Sequence, residues 1–343
     1  MSLYFRLHIF IVSAKILFIN LWVVYMLPWI LVGIAILIII FFMFGLPFIC
    51  FIKIFYSSPK SRIKKDGEYS LQQADIYKPY HKIMIDFIDR VNALPHKNVS
   101  VKSFDGLTLR GRYFEYKPDA PVEIIFHGYR GDSESDLSGG VFRCFALERN
   151  VLLVDQRAGG KSDGKVISFG VNECKDCLPW VNYVIENINK DAVIFLCGVS
   201  MGAATVMMAS EQNLPKNVVA VMADCGYTSA KDIIKKVIKD MKLPPNLLYP
   251  FAKLGAKMFG KFNLDENSPI QALKNSKLPV FFVHGDNDLY VPYEMSVKNF
   301  EACNSPKYLA TIEGAGHGLA YIVNPEKYIN EMKTFADNFV FNK

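Results

Sequence analysis

The sequence has few charged residues, and one long stretch has none at all. Only 21% of its 343 residues are charged, whereas 51% are hydrophobic. From Ile16 to Ile52 there is no Asp, Glu, Lys or Arg. This balance excludes a disordered chain, which combines low hydrophobicity with high charge. The uncharged stretch predicts a membrane anchor over residues 1–56, and residues 57–343 have the length of one large domain.

Several kinds of motif are also missing. No repeat or heptad pattern runs through the chain, which excludes solenoids and coiled coils. There is no H-E-x-x-H, no P-loop and no G-x-G-x-x-G between a strand and a helix, so we expect neither a metal nor another cofactor. The seven cysteines are odd in number and unclustered, which is typical of a reducing compartment. Cys174 and Cys177 lack a second pair or a nearby His, and we interpret them as incidental thiols.

The positive charge is concentrated at two places, although the net charge is only +6. Five bases and no acid follow the apolar stretch: Lys53, Lys60, Arg62, Lys64 and Lys65. Eight lysines lie from Lys231 to Lys261, against two acids. No aromatic residues interleave these bases in a recognition motif, so we expect anionic lipid head groups rather than nucleic acid as partners. Bases beside the anchor also predict that the following domain is cytoplasmic.

Pro28 divides the apolar stretch. Aromatic residues typical of a membrane interface flank it: Trp22, Tyr25 and Trp29. As one helix the stretch would be about 55 Å long, against a hydrocarbon core of about 30 Å. We therefore expect a helical hairpin that breaks at Pro28, with spans at roughly 3–25 and 30–52. The alternative is a single transmembrane helix at about 30–52 with a membrane-associated N-terminus, because Lys15 would lie inside the first of two spans.

The rest of the chain contains both helical and β-type patterns. Residues 57–98 are predicted to be a juxtamembrane linker and an amphipathic helix at 81–94. Asp105 and Gly106 predict a hairpin turn. Short apolar runs then alternate with helix-length segments: Val122–Phe126, Val151–Val154, Val193–Cys197, Val218–Ala223, Val280–Val283 and Tyr308–Ile312. Over residues 99–343 this pattern predicts an α/β fold with a mostly parallel sheet, helices on both faces and an inserted helical lid at about 227–276.

A nucleophile elbow is predicted between one of these strands and the next helix. The residues from Cys197 to Ala204 read CGVSMGAA and contain G-x-S-x-G in its strand–turn–helix context. A turn tight enough to raise Ser200 above the sheet leaves no room for side chains at Gly198 and Gly202. The following helix adds partial positive charge near a developing oxyanion. Ser200 is therefore the predicted nucleophile.

A serine nucleophile needs a base that is held by an acid. Two histidines follow Ser200, namely His284 and His317. His317 lies in a glycine-rich loop after the last predicted strand and is the predicted base, whereas His284 is interpreted as a packed residue at a strand end. Asp288, in the loop after the preceding strand, is the predicted acid. Asp224 is the competing candidate, because some hydrolases take their acid from the strand before.

Acyl transfer also needs backbone N–H groups that bind the oxyanion of the tetrahedral intermediate. The N–H of Met201, directly after the nucleophile, is one candidate. The loop after the third strand supplies the other, for which we choose the N–H of Tyr129. Tyr129 and Arg130 are alternatively candidates for substrate contacts. His127 is interpreted as a structural residue of this loop.

These segments resemble the α/β-hydrolase superfamily. The similar motifs are HGYRGDS, DQRAGGKSDG, GVSMGAA, HGDNDLYVP and GAGHG, in this order between Val99 and the C-terminus. The most similar branch has a small lid and includes protein-palmitoyl thioesterases, monoacylglycerol lipases and prolyl-oligopeptidase-type peptidases. The resemblance implies an α/β-hydrolase fold and a catalytic triad, but no particular substrate. Gly159 departs from the pattern, because relatives often have His there.

We therefore expect a membrane-anchored serine hydrolase that cleaves an acyl ester or thioester through an acyl-enzyme on Ser200. Its partners would be a small-molecule or lipid-like acyl substrate and membrane lipids. Two alternatives stay open: a serine peptidase that acts on amides, and an inactive hydrolase fold that serves as a membrane-bound scaffold. Four lysines of a predicted lid helix are interpreted either as a solvated face or as a contact with anionic lipid: Lys235, Lys236, Lys239 and Lys242.

Overall fold

A single eight-stranded sheet forms the centre of the protein in the computed structural model, which describes residues 3–62, 69, 71 and 74–341. The strands are β1 (Lys97–Lys102), β2 (Thr108–Phe114), β3 (Val122–Phe126), β4 (Asn150–Asp155), β5 (Ile194–Val199), β6 (Val218–Asp224), β7 (Val280–Gly285) and β8 (Lys307–Ile312). Their order is β1-β2-β4-β3-β5-β6-β7-β8. β2 is antiparallel to both neighbours, and all other pairs are parallel. The mostly parallel sheet predicted from the apolar runs is confirmed.

Helices cover both faces of this sheet. The α-helices are α1 (Leu3–Ile40), α2 (Leu46–Cys50), α3 (Pro59–Arg62), α4 (His81–Ala93), α5 (Ser138–Ala146), α6 (Cys177–Asn187), α7 (Met201–Ala209), α8 (Ala230–Asp240), α9 (Pro245–Gly255), α10 (Pro269–Asn275), α11 (Tyr293–Ala302), α12 (Ala320–Val323) and α13 (Pro325–Ala336). Side chains of α6 to α11 pack on one face, and those of α4, α5, α12 and α13 pack on the other. Buried strands covered on both sides explain the apolar runs in the sequence.

The expected break at Pro28 is wrong, because α1 continues through this residue. A wider turn, Phe41–Gly45, joins α1 to α2, and a second one, Phe51–Phe55, extends α2, so that one helix runs from Tyr4 to Phe55. A proline removes one N–H donor from the helical ladder, whereas a full break would leave several backbone groups unpaired in apolar surroundings. We call this 52-residue element the N-terminal helix. It is long and apolar enough to cross a membrane, and its most hydropathic window is not buried by the protein.

The final two turns of the N-terminal helix pack on the domain that contains the sheet. Pro47, Phe51 and Phe55 are buried, and the Phe51 ring lies 5.9 Å from the ring of Phe259, just after α9. Phe42, one turn before this region, contacts Phe251 of α9 at 6.0 Å. A helix much longer than a bilayer therefore does not require a large tilt or a hairpin, because its last part belongs to the folded domain.

The segment between β6 and β7 contains α8, α9 and α10. In α8 the apolar face is buried, at Ile233, Ile234 and Ile238, so this helix packs on the core as an amphipathic helix should. The four lysines considered above as a lipid contact, three in α8 and Lys242 just after it, divide into two pairs. Lys235 donates to Asn246 Oδ1 at 2.8 Å and Lys236 forms an ion pair with Asp240, whereas Lys239 and Lys242 are exposed.

Candidate active site

The predicted nucleophile, acid and base all lie just beyond the carboxyl ends of neighbouring parallel strands. Ser200 follows β5, Asp288 follows β7 and His317 follows β8. Loops at this edge of a parallel sheet converge because every strand ends there. Residues far apart in the sequence can therefore meet at one site.

Ser200 occupies a strained turn between β5 and α7. Its φ is +56°, a left-handed conformation that is costly for a residue with a side chain. A Cβ atom at Gly198 would overlap the carbonyl group of Gly202, and one at Gly202 would overlap the carbonyl of Phe126. The steric reason for both glycines in the elbow is therefore confirmed by the packing around the turn.

A continuous chain of hydrogen bonds joins the three side chains. His317 Nε2 lies 2.9 Å from Ser200 Oγ, and His317 Nδ1 lies 2.7 Å from Asp288 Oδ2. Because Nδ1 faces a carboxylate, it carries the imidazole proton, and Nε2 keeps a lone pair for the serine hydroxyl. The arrangement has the geometry that proton removal from a serine requires.

Asp288 is buried and accepts hydrogen bonds at both carboxylate oxygens. Oδ1 accepts from the N–H groups of Tyr290 and Val291, at 2.8 and 2.9 Å. Oδ2 accepts from His317 and from His284 Nε2 at 3.0 Å. Burial alone would raise the pKa of Asp288, but the hydrogen bonds from the two histidines hold this pKa well below its ordinary value. Asp288 is therefore ionised at neutral pH.

His284 holds the acid in place, and the sequence interpretation found only part of this. It is fully buried at the end of β7, as expected for a packed residue. Its Nε2 faces two acceptors, Asp288 Oδ2 and the carbonyl oxygen of Val291, so Nε2 carries the proton. Nδ1 then accepts from the hydroxyl of Ser296 at 2.7 Å. The sequence indicated this contact only through the short distance along the chain, since three residues separate His284 from Asp288.

Asp224, the competing acid, has a different environment. Its Oδ2 accepts from Tyr328 Oη at 2.9 Å, and its backbone oxygen accepts from Ser200 N–H at 2.8 Å. Oδ1 has no hydrogen-bond partner among the described residues. Burial raises the pKa of Asp224. The geometry thus favours Asp288 as the partner of His317.

The two candidate oxyanion donors belong to different segments, namely the start of α7 and the loop after β3. Met201 is the first residue of α7, and the first N–H groups of a helix have no partner within the helix. Within the described part of the chain, no acceptor is bonded to the N–H of Tyr129. A Cβ at Gly128 would be 3.6 Å from Ser200 Cβ, so the loop after β3 passes directly beside the nucleophile.

His127 and Gly159 together build the base of that loop. His127 Nε2 accepts from the N–H of Gln156 at 3.0 Å, and the side chain of Gln156 donates back to the His127 carbonyl at 2.6 Å. A Cβ at Gly159 would approach the His127 ring to 2.6 Å. This is a physical reason for glycine at the position where relatives often have His, and it gives His127 a structural contact.

One cluster among the described residues has the spacing of a metal site, and it overlaps the candidate active site. The ligand atoms of Cys225, Asp288 and His317 lie within 4.8 Å of one another. Burial raises the pKa of Cys225 well above its ordinary value, which disfavours the thiolate that a metal would need. Asp288 and His317 are already hydrogen-bonded to each other. We therefore interpret this cluster as proton-transfer machinery.

An aromatic side chain lies beside the imidazole of His317. The ring of Tyr290 lies 5.2 Å from the ring of His317. Lys236 of α8 lies 5.7 Å from the Tyr290 ring and donates to the carbonyl oxygen of Leu289. The segment between β6 and β7 thus contacts the loop that carries Asp288.

Known proteins share this fold. The model of the α/β-hydrolase fold family matches residues 121–256, from β3 into the helices after β6. The YqkD protein of Bacillus subtilis is 28% identical over 190 residues, which are 55% of this chain and 62% of that protein. The chain thus spans less than two thirds of this relative. The protein bem46 of Schizosaccharomyces pombe is 26% identical over 221 residues, 62% of this chain and 68% of that protein.

A solved structure agrees with these sequence matches. The Pyrococcus furiosus esterase Pf2001 superimposes with a TM-score of 0.59 at 23% identity, and the alignment covers 73% of this chain and 93% of that enzyme. The chain therefore has the α/β-hydrolase fold, as the sequence motifs implied. The N-terminal helix precedes the segment that the family model matches.

Proposed function

We propose that the protein is a membrane-anchored serine hydrolase that cleaves an acyl ester or thioester through an acyl-enzyme on Ser200. The observation that carries the proposal is the relay from Asp288 through His317 to Ser200, with distances of 2.7 and 2.9 Å. Two further features support it: the positive φ at Ser200, and the N–H groups of Tyr129 and Met201, which have no acceptor among the described residues.

The reaction would proceed in two halves. Ser200 Oγ attacks the acyl carbonyl while its proton moves to His317 Nε2, and Asp288 stabilises the resulting imidazolium. The N–H groups of Tyr129 and Met201 bind the oxyanion. Collapse transfers the proton from His317 to the leaving alcohol or thiol and leaves an acyl group on Ser200. Water then attacks by the same steps and releases the carboxylic acid.

The N-terminal helix supports the membrane part of the proposal. Its apolar side chains are exposed along most of its length, and its end packs on the helices between β6 and β7. Next to it, α9 has an apolar stripe in which Leu247 is 63% and Leu254 is 36% exposed. Exposed apolar surface beside a membrane helix is suited to the lipid interface. We propose that this face of the domain lies on the bilayer, on its cytoplasmic side, and that the substrate is lipid-like.

The cytoplasmic orientation is a proposal that follows from the positive-inside rule and the bases near the helix end. Lys53, Lys60 and Arg62 lie in the described part of the chain, whereas Lys64 and Lys65 do not. The exposed lysines Lys239 and Lys242 lie just before α9 and would face lipid head groups. Because Lys235 and Lys236 bind groups of the domain itself, we propose lipid contact only for the other two.

The first experiment is activity of the full chain in detergent, with p-nitrophenyl esters, acyl thioesters and aminoacyl amides of matched acyl groups. We expect turnover of esters or thioesters, covalent labelling by a fluorophosphonate, and loss of both in Ser200→Ala. Preferential cleavage of amides would favour the peptidase alternative. A folded chain with neither turnover nor labelling would contradict the proposal and favour an inactive scaffold.

A further inference from the structure

The end of the N-terminal helix is hydrogen-bonded to the loop that carries the candidate oxyanion donor. The hydroxyl of Tyr129 donates to the carbonyl oxygen of Ile54 at 2.7 Å. Arg130 Nη2 donates to the carbonyl oxygens of Lys53 and Tyr56, both at 3.0 Å. The last carbonyls of a helix have no partner within the helix, and a cation there also interacts favourably with the helix dipole. The loop therefore caps this helix.

The backbone of the capping loop is strained. Arg130 has φ +57°, a left-handed conformation that costs energy in a residue with a side chain. Its Nε donates to Tyr129 Oη at 2.8 Å, so the two side chains bind the helix end as one unit. The side-chain contacts of Tyr129 and Arg130 thus fix the peptide group between these two residues. This peptide group follows directly after the N–H of Tyr129.

The helix end itself is fixed in the domain. Phe55 is fully buried, and its ring lies 5.8 Å from that of Phe169 and 5.4 Å from that of Phe262. The backbone pairs with a loop of the domain, since Ile167 N–H donates to the Phe55 carbonyl at 2.8 Å and Ser57 N–H donates to the Lys165 carbonyl at 2.9 Å. A helix end held in this way can serve as a rigid support.

We propose that the end of the N-terminal helix, Lys53–Tyr56, is a positioning element of the oxyanion hole, and that Arg130 is the positioning residue that connects the two. The inference rests on the proposed function, because it assumes that Tyr129 N–H binds the oxyanion. The N-terminal helix then has two roles, since it holds the protein in the membrane and keeps a catalytic N–H in register.

The test is Arg130→Ala in the full chain, in detergent. The matched control is Lys307→Ala, because Lys307 also donates to carbonyl oxygens at the end of a helix, those of Phe300 and Cys303 at 2.8 and 2.9 Å, but lies at the amino end of β8, whereas Ser200 lies at the carboxyl ends of the strands. Loss of one oxyanion donor lowers kcat by about 100- to 1000-fold. For displacement of the donor we expect a fall in kcat of about 10- to 100-fold in Arg130→Ala, with KM nearly unchanged.

A boronic acid inhibitor separates positioning from general loss of structure. Its tetrahedral adduct on Ser200 puts an oxygen in the oxyanion hole, so its affinity should fall in parallel with kcat/KM in Arg130→Ala. Arg130→Lys, which retains one cationic donor, should recover part of both losses. In Lys307→Ala both quantities should stay at the wild-type level.

Two results would overturn the inference. One is an Arg130→Ala variant with wild-type kcat and boronate affinity. The other is a loss of activity that Lys307→Ala shares and that follows the unfolding temperature in both variants, since the helix end would then contribute stability alone. Failure of the proposed function is distinguishable, because the wild-type chain itself would then show no turnover that depends on Ser200.

Discussion

Asp288→Asn is the substitution for which the structure gives the sharpest expectation. The two oxygens of Asp288 have different partners: Oδ1 faces the N–H groups of Tyr290 and Val291, and Oδ2 faces His284 and His317. An asparagine must keep its amide oxygen at the two N–H donors, because the opposite orientation would put its NH₂ group against them. The NH₂ group then faces His317 Nδ1.

This orientation inverts the hydrogen bond to the base. With a donor opposite Nδ1, the neutral imidazole of His317 carries its proton on Nε2 and cannot accept the proton of Ser200. The same exchange of tautomers in a serine protease triad costs about 10⁴ in kcat. We expect a fall of about 10³- to 10⁴-fold here, which corresponds to about 4–5.5 kcal/mol in the activation free energy.

The assay is steady-state hydrolysis of the best ester or thioester substrate by the full chain, with Asp224→Asn as the matched control. Asp224 is buried, its pKa is raised, and its Oδ2 only accepts from Tyr328. An asparagine can keep its amide oxygen towards Tyr328 Oη, so we expect a change within about threefold, as for a substitution that leaves the triad intact. If Asp224→Asn were the more damaging substitution, the assignment of Asp288 as the acid would be wrong.

Three further outcomes follow from contacts outside the relay. Burial alone would raise the pKa of Glu123, but the buried Arg143 and Arg149 outweigh this effect and lower the pKa from 4.5 to about 2. The ionised Glu123 therefore stabilises the folded state by about 3 kcal/mol above pH 4.5, and this contribution is lost as the pH falls towards 2. Thermal unfolding should therefore depend less on pH in this range in Glu123→Gln than in the wild type, and a parallel dependence would contradict the role of the ion pairs. Gly202→Ala should abolish ester hydrolysis because its Cβ overlaps backbone, whereas Gly33→Ala, which meets no atom within 4 Å, should retain the wild-type rate. In proteoliposomes, a fluorophore on Leu247→Cys should be quenched by a lipid-borne quencher and one on Lys190→Cys should not, and equal quenching at both positions would refute the bilayer contact of α9.

The fold and the relay were predictable because both leave local traces in the sequence. The run Val122–Phe126 coincides with β3, because four of its five residues are apolar, as expected for a strand buried on both faces. The elbow at Ser200 was recognisable because its flanking glycines are a steric requirement of one turn. The chain order of serine, acid and base then left few candidates for Asp288 and His317.

Contacts between distant segments left no such trace. The continuation of the helix through Pro28 was not predictable, because its length exceeds a bilayer and the packing of Phe51 and Phe55 into the domain has no sequence motif. The capping of that helix by Arg130 joins segments 77 residues apart, and neither segment has a motif for it. Similarly, the hydrogen bond from His284 to Asp288 depends on how the loop after β7 folds back on its strand.

The continuous helix also changes how Lys15 should be interpreted. In a hairpin with a span at 3–25 this charge would lie near the bilayer centre, where it costs a few kcal/mol. In one straight helix, the exposed apolar part from Ile16 to Phe44 is about 43 Å long. This length is close to the thickness of a bilayer with its head groups, about 40–45 Å. Lys15 then falls at the far head groups and Lys53 beyond the near ones. On the proposed orientation, a single helix satisfies both charges, and its packed end fixes the distance between the bilayer and Ser200.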